Sequence, residues 1–287
     1  MYRIALPNKG RLAAGARELL RRAGLELEDR DDRALQAALG NDFQALFLRS
    51  RDIPEFVADG AADAGITGRD MVAESDRRLQ VLLELDYGRC RLVVAAREDS
   101  DIDSITDLDE GTRVATSFPH LTREFFAAAG QPIRLVPVSG AAEIAPHLGV
   151  AEVIVDLVST GSTLKINGLK EVATVLESSA VLVSRADFPE NHARARRQRE
   201  LVAALESVLR ARDKRYLMAN LPRRALDEVA AILPGMSGPT IVDVADSTDL
   251  VAAHAVVDRR EIYRVIARLK AIGASGILVT KIERLMP

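Results

Sequence analysis

The chain has 287 residues, 48% of them hydrophobic, enough for about two or three domains with cores of their own. A net charge of −3 argues against a dedicated nucleic-acid binder, while leaving room for a local basic pocket on a polyanionic metabolite. The single cysteine, Cys90, excludes an internal disulfide and a thiolate metal cluster, and no apolar run approaches the roughly 18 residues of a membrane span.

The N-terminus, MYRIALPNKG, has no signal-peptide layout and enters structure at once, so a soluble, cytoplasmic protein is expected. YRIALP, QALFLR, ADAGITG and LQVLLEL read as strands, and GRLAAGARELLRRAG and RDIPEFVADG as helices. That alternation predicts a mostly parallel α/β sheet. Within it, LPNKGRL is strand, glycine turn, helix, with Lys9 and Arg11 beside a helix N-terminus where an anion is favoured. A solvated turn explains the same residues equally well. FLRSRDIP adds Arg49 and Arg51 after a strand end, Arg51 fitting a surface position better. In GITGRD, Asp70 opens a helix, either as an ordinary first-turn carboxylate or as an acceptor for ribose hydroxyls. The run LEDRDDR, residues 27 to 33, reads as a solvated loop, because its acids are mixed with arginines and lack ligand spacing.

A second α/β lobe follows. RLVVAA, RVATSF, IRLVPV and EVIVDLV read as strands, LTREFFAAAG and GAAEIAPHLG as helices, the latter carrying Glu143. Cys90, at the head of the first of these strands, reads as core. KEVATVLESSAVLVS returns as strand into a charged helix, ENHARARRQRELVAALESVLRARD, whose HARARRQR stretch reads as a wet face. Crossings near Cys90 and Val181 make two lobes around a cleft: residues 1–90 with 182–211, and residues 91–181. Ligands of such folds sit at the carboxyl ends of strands. Residues 212–287 change to β-α-β-β-α-β, the ferredoxin-like order, read as an effector or oligomerisation module.

AEVIVDLVSTGSTLKINGL, residues 151 to 169, carries the strongest chemical signal. Val153-Ile154-Val155 is a strand buried on both faces, and it ends on Asp156. Ser159, Thr160, Gly161, Ser162 and Thr163 then precede a helix start. Free backbone N–H groups, four hydroxyls and a glycine that permits close approach describe a phosphate cradle; an ordinary N-capped turn is the plainer reading. His120, His147, His192 and His254 have no metal-ligand spacing, and none is assigned as ligand or base.

The run EIAPHLGVAEVIVDLVSTGSTL, residues 143 to 164, resembles the signature of the ATP phosphoribosyltransferase family, which opens histidine biosynthesis. LPNKGRL, FLRSRDIP and GITGRD fall where that family has its own versions. The resemblance spans essentially the whole chain, C-terminal unit included, as in the long, histidine-regulated form. It implies an α/β fold: a bilobal periplasmic-binding-protein-like catalytic core with a C-terminal ferredoxin-like regulatory domain. It further implies transfer of phosphoribosyl from phosphoribosyl pyrophosphate (PRPP) to the adenine N1 of ATP, with Mg²⁺ as cofactor and no general base. Asp156 and Ser159 to Thr163 are then expected on PRPP, and Asp70 and Glu143 on the ATP side. Lys9, Arg11 and Arg49 are expected at the phosphates. Asp156 is followed by Leu157 rather than a second acid, so the metal is expected mainly on substrate phosphates and water. L-Histidine is expected near Thr240 and Gly276, between subunits of a dimer-built hexamer.

Two other classes share the plan. Prephenate dehydratases pair a bilobal core with a regulatory domain, and LTREFF faintly resembles their Thr-Arg-Phe motif. Glu124 stands where that motif has Phe, and the class gives no reason for STGST. A solute-binding protein, or such a fold kept as a regulatory subunit, would use the cradle without chemistry.

Overall fold

The computed structural model describes residues 1–27, 34–188, 193–245 and 247–286. Apart from Leu27, the acidic run at 27–33 lies outside these residues, as do His192, the start of the long charged helix and Asp246. The chain forms two compact units, residues 1–21 with 25–202, and residues 22–24 with 203–287.

The first unit opens with β1 (Tyr2–Pro7), α1 (Ala13–Arg22), β2 (Gln36–Leu39), β3 (Phe43–Leu48), α2 (Ile53–Ala58), β4 (Ala64–Gly68), α3 (Arg69–Ser75) and β5 (Leu79–Glu84). Next come β6 (Cys90–Arg97), β7 (Thr112–Thr116), α4 (Pro119–Ala128), β8 (Ile133–Pro137), β9 (Val153–Val158), α5 (Ser162–Ile166) and β10 (Leu169–Ser178). The chain then returns as β11 (Ala180–Arg185) and α6 (Ala193–Ala211), whose residues from 203 onward belong to the second unit. One sheet has the order β2-β3-β1-β4-β11-β5 and the other β10-β6-β9-β7-β8, giving the two lobes that were expected. β1 is parallel to β3 and β4, and β11 lies antiparallel between β4 and β5, delivered there from the second lobe.

Burial explains these choices. β4 is buried at every position and β9 is fully buried over Val153, Ile154 and Val155, as strands covered on both faces require. In α1, Ala13, Ala16, Leu19 and Leu20 are buried at helical spacing, one apolar stripe.

The structure differs from the sequence reading at four places. KEVATVLESSAVLVS is two strands, and the chain changes sheet at Ser179 between β10 and β11. GAAEIAPHLG is no α-helix: only a 3₁₀ turn, Ala142–Ile144, forms, with Ala141 left-handed before it. Pro146 lacks the N–H a longer helix would use. β2 has no counterpart in the reading, because QAAL is short and alanine-rich, a weak strand former. The HARARRQR face is also less wet than expected: Arg194 pairs with the buried Asp63 at 3.0 Å, and Arg197 pairs with Asp42.

The second unit is β12 (Lys214–Pro222), α7 (Leu226–Ile232), β13 (Thr240–Asp243), β14 (Leu250–Asp258), α8 (Ile262–Ala271) and β15 (Ser275–Lys281). Its antiparallel sheet has the order β13-β14-β12-β15, the ferredoxin-like arrangement. Leu217, Leu221, Val251, Ala255 and Leu269 build its core with Val229 and Ile232 of α7. Burying each large aliphatic among them contributes on the order of 1.5–3 kcal/mol.

Candidate active site

The second lobe builds a small cradle at the end of β9. Asp156 sits where the buried strand emerges, and its Oδ1 accepts the N–H of Leu157 at 2.7 Å. Burial pushes its carboxyl above the usual aspartate value; the Leu157 N–H opposes this and Glu143 adds a smaller push. Thr116 on the neighbouring strand donates its hydroxyl to Val155 O at 2.8 Å, fixing the strand just before this point. Gly161 then takes φ +78°, a left-handed conformation that costs glycine little. That turn starts α5, whose five residues are too few for a large dipole.

Asp156, Ser159, Thr160, Gly161 and Thr163 line a cavity of about 120 Å³, with Glu143, Leu157, Val158 and Leu164. At roughly 30 Å³ per water, that is room for about four, the scale of a phosphoryl group. Ser162 does not line it; its Oγ meets Thr160 Oγ1 at 2.9 Å. Glu143, thirteen residues earlier in sequence, stands on the 3₁₀ turn and is brought to the wall that holds Asp156.

A larger cavity, about 560 Å³, lies at the strand ends where the chain passes between the lobes. Arg69, Glu84, Asp86, Arg89, Cys90, Arg91, Glu177, Ser178 and Ser179 line it, and it shares Val158 and Ser159 with the cradle. Its volume falls in the usual range for small-molecule sites. The arginines carry acidic partners: Arg69 with Glu84, Arg89 with Asp86, and Arg91 with Glu171 at 2.6 Å. Cys90 is buried, and burial pushes its thiol up, so it serves this wall as a neutral group.

Lys9 and Arg49 are exposed just past the carboxyl ends of β1 and β3, held side by side by the bond from Asn8 N to Leu48 O at 2.8 Å. Arg51 reaches the second lobe, donating to Ser117 O at 3.3 Å. Arg11 is turned inward instead, to Gly88 O and to Asp70. Asp70 is fully buried and accepts from Ser178 and Arg11, so the structure sets it apart from both cavity linings.

Sequence reasoning missed every charged residue of the larger cavity. Its lining comes from the start of α3, the segment between β5 and β6, and the ends of β5, β6, β9 and β10, which only the sheet topology brings together. Among the described residues no group of three or more His, Cys, Asp or Glu side chains is placed to hold a metal. Asp156 and Glu143 both line the smaller cavity, and carboxylate oxygens are the donors a hard cation takes. No described helix is long and apolar enough to cross a membrane.

The ATP phosphoribosyltransferase family model matches residues 49–207, more than half of the chain, and the "HisG, C-terminal domain" model matches residues 211–284. The chain belongs to the ATP phosphoribosyltransferase family. Family members of that name include one from Gemmatimonas aurantiaca, 59% identical, and one from Haloarcula marismortui, 52% identical. The alignments cover 100% of both chains in the first case and 99% of both in the second. Among solved structures, the ATP phosphoribosyl transferase (HisG:HisZ) complex from Thermotoga maritima matches with a TM-score of 0.65 and 26% identity. It covers 73% of this chain and 99% of that one. The chain is thus a pentosyltransferase of histidine biosynthesis, matching its curated relatives over the full length.

In the second unit, Thr240 pairs in register with His254, which faces Met218, which faces Leu278, one row across the open face of the sheet. Tyr216 bonds His254 Nδ1 at 3.0 Å on the same face. Thr240 and Gly276 lie on opposite edge strands, three inter-strand spacings or about 14 Å apart, and the fold does not bring them together within one chain.

Proposed function

We propose that the cradle takes the 5-phosphate of PRPP and the larger cavity takes ATP, and that the adenine N1 displaces pyrophosphate from ribose C1 with inversion. The observation that carries this reading is the wall shared by the two cavities, Val158 and Ser159, which sets a phosphate-sized site directly beside a nucleotide-sized one. Ser159, Thr160 and Thr163 with the loop N–H groups grip the phosphate, Gly161 lets it approach, and Ser162 holds Thr160 in place. Asp156 accepts from a ribose hydroxyl. The nucleophile is a neutral ring nitrogen with its own lone pair, so no base is required; the new N–C bond forms as the C–O bond to pyrophosphate breaks, and that oxygen keeps the electron pair. Lys9 and Arg49 stand at the cleft edge for the departing or triphosphate charge, and orientation of two substrates with charge neutralisation accounts for the rate. Glu143 and Asp156 are the side chains that would hold Mg²⁺ with the substrate phosphates, and the ion when bound supplies neutralisation of the pyrophosphate.

We assign L-histidine inhibition to the open face of the second unit. The separation of Thr240 from Gly276 supports a pocket completed by a neighbouring copy, hence a hexamer built from dimers, in the cytoplasm. Thr163→Val tests the cradle. The residue is exposed, so the fold is expected to survive, and loss of one hydrogen bond to a charged phosphate predicts a PRPP KM raised about 10-fold or more. An unchanged KM in the folded variant removes the loop from the phosphate.

A further inference from the structure

The two lobes of the first unit are joined by two segments, one between β5 and β6 and one at Ser179 between β10 and β11. One buried carboxylate is tied to both. Ser178, the last residue of β10, donates its hydroxyl to Asp70 Oδ1 at 2.5 Å and accepts the Asp70 backbone N–H at 3.0 Å. Arg11 Nη2 reaches Asp70 Oδ1 and Oδ2 at 3.3 and 3.4 Å, and its Nη1 bonds Gly88 O in the other segment. Arg69 N donates to Ser179 O at 3.0 Å, and Ser178 stands in register with Cys90, the first residue of β6.

The helix that carries Asp70 is built the same way throughout. Met71 and Ala73 of α3 pack against the core of the second lobe. Glu74, near its end, accepts the N–H groups of His120 and Leu121 at 3.0 Å each, capping α4 of the second lobe. A first-lobe helix thus spends its side chains on the second lobe. Asp70 has no exposed surface, so a substrate cannot reach it without dismantling these bonds.

We propose that Asp70 is a positioning residue that fixes the angle between the lobes and so sets the cradle against the first-lobe cations, without touching either substrate. The kinetic part rests on the assignment of PRPP to the cradle; the geometric part does not. A carboxylate held by Ser178 of one crossing and by Arg11, which itself bonds Gly88 O of the other, resists rotation about either one, and a misplacement of about 1 Å costs on the order of 100-fold in a two-substrate transfer.

The test uses the full chain with nitroxide labels at Gln80→Cys on the first lobe and Glu124→Cys on the second, both exposed. Pulsed electron resonance reads the distance between them in the parent and with Asp70→Asn. A broadened or shifted distribution is expected, together with kcat lowered about 10-fold or more and a PRPP KM within about 2-fold of the parent. Ser178→Ala removes only a hydroxyl and carries the same expectation should the first variant not fold. Its combination with Asp70→Asn is expected to be no worse than the more severe single variant, as for two members of one network. An unchanged distance distribution overturns the proposal whatever the kinetics. So does a KM rise at constant kcat, which would mark a substrate ligand. Failure of PRPP to bind the parent protein would instead remove the cradle assignment and leave the distance result standing.

Discussion

STGST and GITGRD share one local grammar, strand, glycine turn and helix start with a polar side chain at the turn, and the fold puts them to opposite uses. In the first the hydroxyls of Ser159, Thr160 and Thr163 remain exposed around a cavity, available to a ligand. In the second the polar group, Asp70, is withdrawn completely and satisfied by Ser178, 108 residues away. What separates them is whether another strand end arrives to claim the carboxylate. A buried polar group left unpaired would cost about 1–3 kcal/mol, so once the crossing at Ser178 is present the acid is locked. The two sites are therefore expected to respond differently to substitution, GITGRD through structure and STGST through binding.

The largest effect is expected at Gly68. A Cβ there would collide with the Asp70 carboxylate and crowd Arg11, with no slack in a fully buried turn. Gly68→Ala should lose about 1–3 kcal/mol in denaturant unfolding, the cost of overpacking, and should fall in activity with it. A variant as stable as the parent would show that the Asp70 network carries no strain-sensitive role.

Asp156 sharpens the comparison through pH. Folding raises its pKa above the ordinary value of 3.8, so its ionised form is disfavoured in the native state. Such a group contributes stability that is complete below its unfolded pKa and is lost as pH rises through the folded value. At neutral pH the penalty is in full force. Asp156→Asn should therefore raise Tm at pH 7 while activity falls, and the Tm gap should close below about pH 3.8. A Tm lowered at pH 7 would mean that the carboxylate is paired for stability, as Asp70 is, and the contrast between the two sites would fail. The smallest effect is expected at Ser162, whose hydroxyl meets Thr160 and not the cavity. Ser162→Ala should change the PRPP KM by less than about 3-fold, against about 10-fold for Thr163→Val. Equal effects would place Ser162 on the ligand.

The loop that lines the smaller cavity was legible because it is contiguous: a buried β-branched run, an acid at its end, then hydroxyls and a glycine. The ferredoxin-like unit was legible for the same reason, its periodicities following one another in order. Glu143 was readable as an acid but not as a neighbour of Asp156, since only the 3₁₀ turn before Pro146 carries it there. The larger cavity was invisible. Arg69 opens α3 while Glu84, Arg91 and Glu177 come from separate strand ends, and no local pattern records that β10 and β11 belong to different sheets. Arg11 was expected to face phosphate because it sits at a helix start; its partner Asp70 is 59 residues distant and reaches it only through packing.

The most direct measurement is turnover of the intact protein with ATP, PRPP and Mg²⁺, with pyrophosphatase present to pull the equilibrium and L-histidine present or absent. Near-ultraviolet absorbance of phosphoribosyl-ATP is expected to rise, and the rise to be suppressed when histidine is added. Absence of product from folded protein that still binds PRPP would contradict the account and leave a binding subunit in its place.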